Sequence, residues 1–187
     1  MIQHELTPSQ KEKYDRLLEH FSSNKNKFFI EGGTSLGWGT STALQAGYEK
    51  VYTIELLQNL FEDAQKMFTK EIKSGKVVCI NGDTQTSLGQ ILAEIDQPAT
   101  FWLDAHFGKK YKGEKPRCPL LGELEVIKNH NIKTHTLMVD DMRLFGKAAH
   151  DFISIDQVKE KILKINPNYK ISFLNSNVKN DILLAKI

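Results

Sequence analysis

The sequence predicts an α/β protein, built as an open, doubly wound parallel sheet with helices on both faces and an antiparallel edge. Five short apolar segments alternate with segments of helical periodicity, which is typical of a parallel sheet. The apolar segments are suited to strands buried on both faces. Two further apolar segments at the end of the chain are joined by only about five residues. This short connection favours an antiparallel hairpin, because a parallel crossover needs a dozen residues or more.

Length and composition favour one domain with a short extension. The 187 residues are 40% hydrophobic and 26% charged, which argues against disordered and collagen-like classes. A net charge of +2 does not by itself indicate a nucleic-acid partner. No apolar run approaches the roughly 20 residues of a membrane span, and the N-terminus lacks a secretory signal. We therefore expect a cytoplasmic protein with no membrane association.

A helical extension over residues 1–26 is predicted to precede the sheet. Its helix begins at a capping box, Thr7-Pro8-Ser9-Gln10, with proline at the first helical position. Apolar residues then recur at helical spacing at Tyr14, Leu17, Leu18 and Phe21. The polar segment 22–27 ends this helix.

The remaining elements follow from local patterns in the same way. The predicted strands are 27–31, 51–55, 76–81, 99–105, 135–141, 169–175 and 181–187. Helices are predicted over 40–46 and from the apolar stripes within 57–68, 88–95 and 120–127. A second capping box, Ser154 to Gln157, opens the last helix, which ends at Asn166-Pro167. Cys79 and Cys118 are too few for a disulfide framework or a zinc site, and Cys79 is expected to be a core residue.

Acidic residues follow each of the first five predicted strands. They are Glu31, Glu55, Asp83, Asp104 and the pair Asp140-Asp141. Ligands of open parallel sheets bind beyond the carboxyl ends of the strands, where these acids are predicted to lie. One interpretation is that the acids cap helix N-termini. That interpretation explains one or two of them more readily than all five, so we expect a binding edge.

The turn after the first strand is rich in glycine, over residues 31–40. It does not match the dinucleotide pattern G-x-G-x-x-G, because Thr42 stands where the third glycine is required. Glu31 would repel a pyrophosphate but attract an ammonium or sulfonium group. Glu55 can accept hydrogen bonds from ribose hydroxyls, and Asp83 from an adenine amine. The pattern indicates S-adenosylmethionine, although an ordinary strand-to-helix turn is the alternative interpretation of the glycines.

Four motifs, in order, resemble those of class I S-adenosylmethionine-dependent methyltransferases. They are Glu31-x-Gly33-x-x-x-Gly37, Glu55, Asn81-Gly82-Asp83-Thr84 and Phe101-Trp102-Leu103-Asp104. The resemblance covers residues 27–187, the predicted methyltransferase domain. It implies a Rossmann-like sheet of strand order 3-2-1-4-5-7-6 with strand 7 antiparallel.

The resemblance also implies a role for each matching residue. Gly33, Thr34, Ser35 and Gly37 would wrap the methionine part of the cofactor, Glu31 would hold its amine, Glu55 would bind the ribose, and Asp83 and Thr84 would flank the adenine. One departure is Ser35, where many members carry a middle glycine.

Asp104, Asp140 and Asp141 form a second candidate cluster, because they follow adjacent strands. Carboxylates at close range raise one another's pKa unless a cation lies between them, and oxygen ligands suit Mg²⁺, Ca²⁺ or Mn²⁺. The three residues are similar to the metal-binding residues of catechol and macrolide-sugar O-methyltransferases. That resemblance implies a divalent metal that lowers the pKa of an acceptor hydroxyl. The alternative is that Asp104 contacts the cofactor while Asp140 and Asp141 cap a loop.

Other candidates lie on the predicted acceptor side. His106 is a candidate general base, or a structural histidine bonded to a nearby carboxylate. The segment 109–117 carries five basic residues, which suits a lid that attracts an anionic acceptor or, alternatively, a solvated loop. Arg143 could serve the same purpose as that lid. Trp38 and Phe107 are candidates for stacking on the acceptor or on adenine, whereas core packing is expected for Trp102.

The leading functional hypothesis is O-methylation of a small hydroxylated metabolite or sugar, assisted by a divalent metal. The second is a methyltransferase acting on a protein or nucleic acid, although no Asn-Pro-Pro-Tyr motif for exocyclic base amines is present. The third is a non-catalytic domain that binds S-adenosylmethionine or a nucleotide, because a fold does not establish a function. The small open domain also suggests a homodimer that completes the site.

Overall fold

One seven-stranded sheet organises the protein. The computed structural model describes residues 7–106 and 117–187, in which the strand order is β3-β2-β1-β4-β5-β7-β6. The strands are β1 (Phe28–Gly32), β2 (Lys50–Glu55), β3 (Val77–Asn81), β4 (Ala99–Leu103), β5 (Thr136–Val139), β6 (Lys170–Leu174) and β7 (Ile182–Lys186). Strand β7 is antiparallel to β5 and β6, and the pairs among β1–β5 are parallel. The predicted fold class and strand order are confirmed.

Helices cover both faces of this sheet. They are α1 (Pro8–Ser23), α2 (Trp38–Gln45), α3 (Gln58–Met67), α4 (Thr69–Lys73), α5 (Thr84–Glu94), α6 (Leu120–Asn129) and α7 (Ile155–Ile165). Both predicted capping boxes are present, at the starts of α1 and α7. Within the described ranges, no helix combines the length and the apolar character that crossing a bilayer requires.

Several predicted boundaries were wrong by a few residues. Strands β4 and β5 end at Leu103 and Val139, so the acids that follow lie in loops beyond the last paired residues. The helix predicted within 57–68 is interrupted at Phe68, and the short α4 follows it. The predicted strands extend into these acids because a residue pattern does not show where the backbone hydrogen bonds between strands stop.

The side chains of each strand alternate between two cores. Ile30 of β1 and Phe101 of β4 belong to the core beneath α5, α6 and α7, whereas Phe29 and Trp102 belong to the core beneath α1 and α2. This period of two is the geometry of a β-strand. The same parity directs Glu31 of β1 toward the face that α1 covers, and it directs Asp104 and Asp140, just past the last paired residues of β4 and β5, to the same face. The structure agrees, since all three line one cavity with Leu17.

Helix α1 packs against the sheet rather than projecting from it. Its residues Leu17 and Phe21 are buried. The ring centroid of Phe21 lies 4.8 Å from that of Phe29 and 5.2 Å from that of Trp102. Tyr14 Oη donates a 2.6 Å hydrogen bond to Gln45 at the end of α2. These contacts fix both the position and the rotation of α1 above the carboxyl ends of the strands.

Candidate functional site

The turn between β1 and α2 has an unusual backbone. Gly33 and Gly37 have φ angles of +88° and +77°, and Ser35 has +48°. A Cβ at Gly33 would lie 3.1 Å from the backbone of Asp104 and Ala105, so the turn passes close to the chain that leaves β4. A left-handed backbone conformation is unfavourable in free energy for serine, and such strain is concentrated at binding sites. Ser35 was the one departure from the expected glycine pattern.

Glu31 is a buried carboxylate at the base of this turn. It is 1% exposed, and its Oε2 accepts 2.6 Å hydrogen bonds from the hydroxyls of Thr40 and Thr53. Burial raises its pKa from 4.5 to about 7, and the two threonine hydrogen bonds act in the opposite direction. The carboxyl group therefore titrates near neutral pH.

Gly39 makes room for that carboxyl group. A Cβ at this position would lie 1.9 Å from Glu31 Oε1, so an alanine cannot be accommodated without displacing the acid. The sequence analysis assigned no role to Gly39, Thr40 or Thr53. Gly39 could have been identified from the sequence, because glycine is an unfavourable residue in the first turn of a helix.

A cavity of about 240 Å³ lies beside the turn, over the ends of β2 and β3. Glu55 lines it, and its two oxygens accept hydrogen bonds from the backbone N–H groups of Ser35 and Leu57, at 2.8 and 2.9 Å. Because each carboxylate oxygen has two lone pairs, Glu55 retains capacity to accept further hydrogen bonds. We call this space the nucleoside cavity, after the part of the cofactor that the sequence predicts there.

Leucine side chains give the nucleoside cavity an apolar wall. Leu56, Leu57 and Leu60 all line it. Leu57 was expected in the apolar stripe of a helix, but it precedes α3, and the residue is 47% exposed. This position of Leu57 matters for binding, because an exposed apolar side chain that lines a cavity is available to cover a ligand.

Asp83 and Thr84 begin helix α5 at the opposite wall. Asp83 Oδ1 accepts a 2.9 Å hydrogen bond from Gln85 N, so this acid does cap a helix, while it also lines the nucleoside cavity. For Asp83, therefore, the capping and the binding interpretations are compatible. The buried hydroxyl of Thr84 interacts with the carboxyl group of Glu123 in α6.

Glu123 of α6 is a buried acid that the sequence analysis missed. It is 1% exposed, and burial raises its pKa to about 7. It lies on the same face of α6 as Leu120, Leu124 and Ile127, which are also buried. Its position within that apolar stripe was the signal that could have revealed it.

A second cavity of about 270 Å³ lies on the other side of the turn, beneath α1. Three carboxylates line it, those of Glu31, Asp104 and Asp140, together with Lys13 and Trp38. We call it the tail cavity. The structure thus places Trp38 where it can contact a ligand. Trp102 packs edge-on against Phe21 in the core, as expected.

His106 lies between two carboxylates. Its Nδ1 is 3.5 Å from Asp104 Oδ1, and its Nε2 is 3.5 Å from Asp141 Oδ2. The interaction with Asp104 raises the pKa of His106. One ligand atom from each of these three residues lies within 4.8 Å of the others, a spacing that suits a metal ion.

The predicted trio of Asp104, Asp140 and Asp141 does not form one such group in the described part of the chain. Asp140 is grouped with Asp141 and Asp181 instead. Asp141, which belongs to both groups, has a left-handed backbone with a φ of +62°. Burial raises the pKa of Asp140 to about 7, and Asp104 and Asp141 add to this effect.

Arg143 balances the charge of two of these acids. Its guanidinium lies 2.6 Å from Asp141 Oδ1 and also pairs with Asp181. Asp181 is buried and accepts a further hydrogen bond from the Ser176 hydroxyl. Arg143 therefore organises the loop after β5, and its expected attraction for an anionic acceptor stays a prediction. Phe107 and all of the basic segment except Arg117 lie outside the described residues.

Solved structures share this fold. No family model and no curated protein matches the sequence. An O-methyltransferase from Bacillus cereus in complex with SAH is 16% identical with a TM-score of 0.61, over 99% of this chain and 83% of that chain. A proposed caffeoyl-CoA O-methyltransferase from Staphylococcus aureus is 15% identical with a TM-score of 0.62, over 92% and 81%. A proposed rRNA methylase from Clostridium thermocellum is 14% identical with a TM-score of 0.60, over 98% and 100%. The fold is that of class I S-adenosylmethionine-dependent methyltransferases.

The fit between Gly39 and Glu31 gives a first prediction. Gly39→Ala should destabilise the protein by about 1–2 kcal/mol, because overpacking outweighs the better helix propensity of alanine. The matched control is Gly89→Ala in α5, where a Cβ meets nothing within 4 Å. That variant should gain up to about 1 kcal/mol. Urea denaturation measures both, and equal gains for the two variants would refute the close fit.

The burial of Glu31 gives a second prediction. Because folding raises its pKa from 4.5 to about 7, its contribution to stability is complete below pH 4.5 and is lost as the pH rises to about 7. The stability of the wild type relative to Glu31→Gln should therefore fall by on the order of 3 kcal/mol between pH 4.5 and pH 8. Urea denaturation of both proteins across this range tests it. A constant difference between them would contradict the raised pKa.

Proposed function

We propose that this protein is an S-adenosylmethionine-dependent O-methyltransferase that acts on a small hydroxylated acceptor. The observation that carries the proposal is the pair of cavities on either side of the Gly33–Gly37 turn, each lined by acids. One suits a nucleoside, and the other suits a cationic amino-acid tail. The structural similarity to an O-methyltransferase that holds SAH, the demethylated product of this cofactor, supports the same conclusion.

The proposed cofactor contacts follow from the groups that remain available. Glu55 would accept hydrogen bonds from the ribose hydroxyls, Asp83 and Thr84 would flank the adenine, and Leu57 would cover the base. Thr34 uses its hydroxyl in a 2.5 Å hydrogen bond with Thr53 and its N–H in a 3.2 Å hydrogen bond to Ile54 O, so it would support the turn around the tail rather than donate to the cofactor. Glu31 would hold the amine of the tail, directly or through water.

Asp104 and His106 would form the reacting centre. Asp104 lines both cavities, so it lies where the nucleoside and tail parts of one ligand would meet. The sulfonium of the bound cofactor supplies an electrophilic methyl group, and the acceptor hydroxyl must lose a proton and be aligned with it. His106, adjacent in the nucleoside cavity, is the imidazole that could take this proton.

A divalent cation fits the same place. Asp104, His106 and Asp141 offer two carboxylate oxygens and one imidazole nitrogen, and Arg143 holds the other oxygen of Asp141. This donor set suits Mn²⁺ better than Mg²⁺ or Ca²⁺, which prefer oxygen ligands. A bound cation would lower the pKa of an acceptor hydroxyl. We propose this ion as an assistant to methyl transfer.

A nucleic-acid acceptor is the second candidate, because the chain from Clostridium thermocellum described above is named for rRNA methylation. The row of acids along the binding edge disfavours it, since phosphate groups would be repelled there. A sugar or another small hydroxylated metabolite meets no such repulsion. Cytoplasmic residence and a homodimer remain predictions.

Calorimetry tests the cofactor assignment. The wild type should bind S-adenosylmethionine and SAH, and Glu55→Gln should weaken both by about tenfold or more, because charge-assisted hydrogen bonds to the ribose are lost. Glu62→Gln, on the exposed face of α3, is the control and should bind as the wild type does. Binding of NAD or ATP with no heat from S-adenosylmethionine or SAH would overturn the proposal.

Titration with Mn²⁺ tests the metal assignment. Asp104→Asn and His106→Gln should each weaken Mn²⁺ binding by about tenfold or more, whereas the exposed Asp63→Asn should not. Transfer of a labelled methyl group to catechols and sugars should fall in excess EDTA and recover with Mn²⁺. Methyl transfer that proceeds unchanged in EDTA would refute the role of the metal, and His106 would then be the proposed base without a metal.

A further inference from the structure

The tail cavity is lined by more acidic than basic groups, whereas an amino-acid tail carries one positive and one negative group. Three carboxylates, Glu31, Asp104 and Asp140, surround a space that would receive both an ammonium and a carboxylate group. An additional carboxylate placed there without a cation would be strongly disfavoured. Among the described residues that line either cavity, Lys13 is the only lysine or arginine.

The register of α1 determines where Lys13 lies. Leu17 is buried against the sheet, and Lys13 precedes it by four residues, which is about 6 Å along the same face of the helix. The side chain of Lys13 therefore extends over the carboxyl ends of the strands. Its Nζ lies 3.9 Å from Asp140 Oδ2, and the Lys13 side chain remains 47% exposed.

The position of α1 is fixed independently of Lys13. Tyr14 donates a hydrogen bond to Gln45, and its ring packs edge-on against Trp38, with 6.2 Å between centroids. At the start of the helix, Asn177 Nδ2 donates a 3.1 Å hydrogen bond to the backbone oxygen of Ser9. The ammonium group of Lys13 is thus presented from a rigid element to the cavity that Trp38 also lines.

We propose that Lys13 binds the carboxylate of the methionine tail of S-adenosylmethionine, while Glu31 binds its amine. The inference rests on the proposed function and assigns α1 a direct role in it. At 3.9 Å, the pair with Asp140 is longer than a hydrogen bond, so the three N–H donors of the Lys13 ammonium group are available to a closer anion. The tail is then recognised by one acid of β1 and one base of α1.

Ligands that differ in the tail carboxylate test the proposal. The wild type should bind S-adenosylmethionine more tightly than decarboxylated S-adenosylmethionine, which retains the amine. Lys13→Met should weaken the binding of S-adenosylmethionine by about tenfold or more and leave the decarboxylated ligand unaffected. Lys13→Arg should retain most of the affinity, because arginine also pairs with carboxylates. Calorimetry measures each dissociation constant.

Lys11→Met is the matched control. Lys11 lies on the same helix, pairs with Asp15 and is exposed, so its loss should change neither dissociation constant. Unchanged binding of S-adenosylmethionine by Lys13→Met would overturn the inference and leave the proposed function intact. A Lys13→Met variant that raises only the KM of the acceptor would overturn it as well. Failure of the wild type to bind S-adenosylmethionine would instead refute the proposed function.

Discussion

Removing the carboxyl group of Glu31 from water costs free energy, and three neighbouring features offset that cost. Thr40 of α2 and Thr53 of β2 donate hydrogen bonds to it, and Gly39 leaves the space that it occupies. These contacts tie β1, β2 and α2 together at one point. The turn that joins β1 to α2 is therefore held by both of its ends, which allows residues such as Ser35 to keep a left-handed backbone.

The parity of the strands sorts the remaining acids into two groups. Asp104 and Asp140 face the cavity beneath α1, as Glu31 does. Asp141 departs from that pattern and meets His106 on one side and Arg143 on the other. The acids that would attract a cationic tail thus lie beside a group that can hold a metal ion. Asp104 belongs to both groups and connects them.

The features that depend on periodicity were predictable from the sequence, and those that depend on one backbone angle were not. The alternation of apolar segments predicted the sheet, and the acid after each strand predicted the edge at which Glu55 and Asp83 now line a cavity. The left-handed backbone of Asp141, which forms a group with Asp104 and His106 that does not include Asp140, is not revealed by any spacing. The pairing of Arg143 with Asp181 joins residues 38 positions apart and could not be deduced from local pattern.

The contact between Gly39 and Glu31 also limits how related chains can diverge. A residue larger than glycine at position 39 would require the acid at position 31 to withdraw, for example by the one methylene that distinguishes aspartate from glutamate. Because the two side chains would share one space, the effects of changing both should not be additive. Homologues of this chain should therefore show covariation between these two positions, with the smaller residue at one accompanying the longer acid at the other.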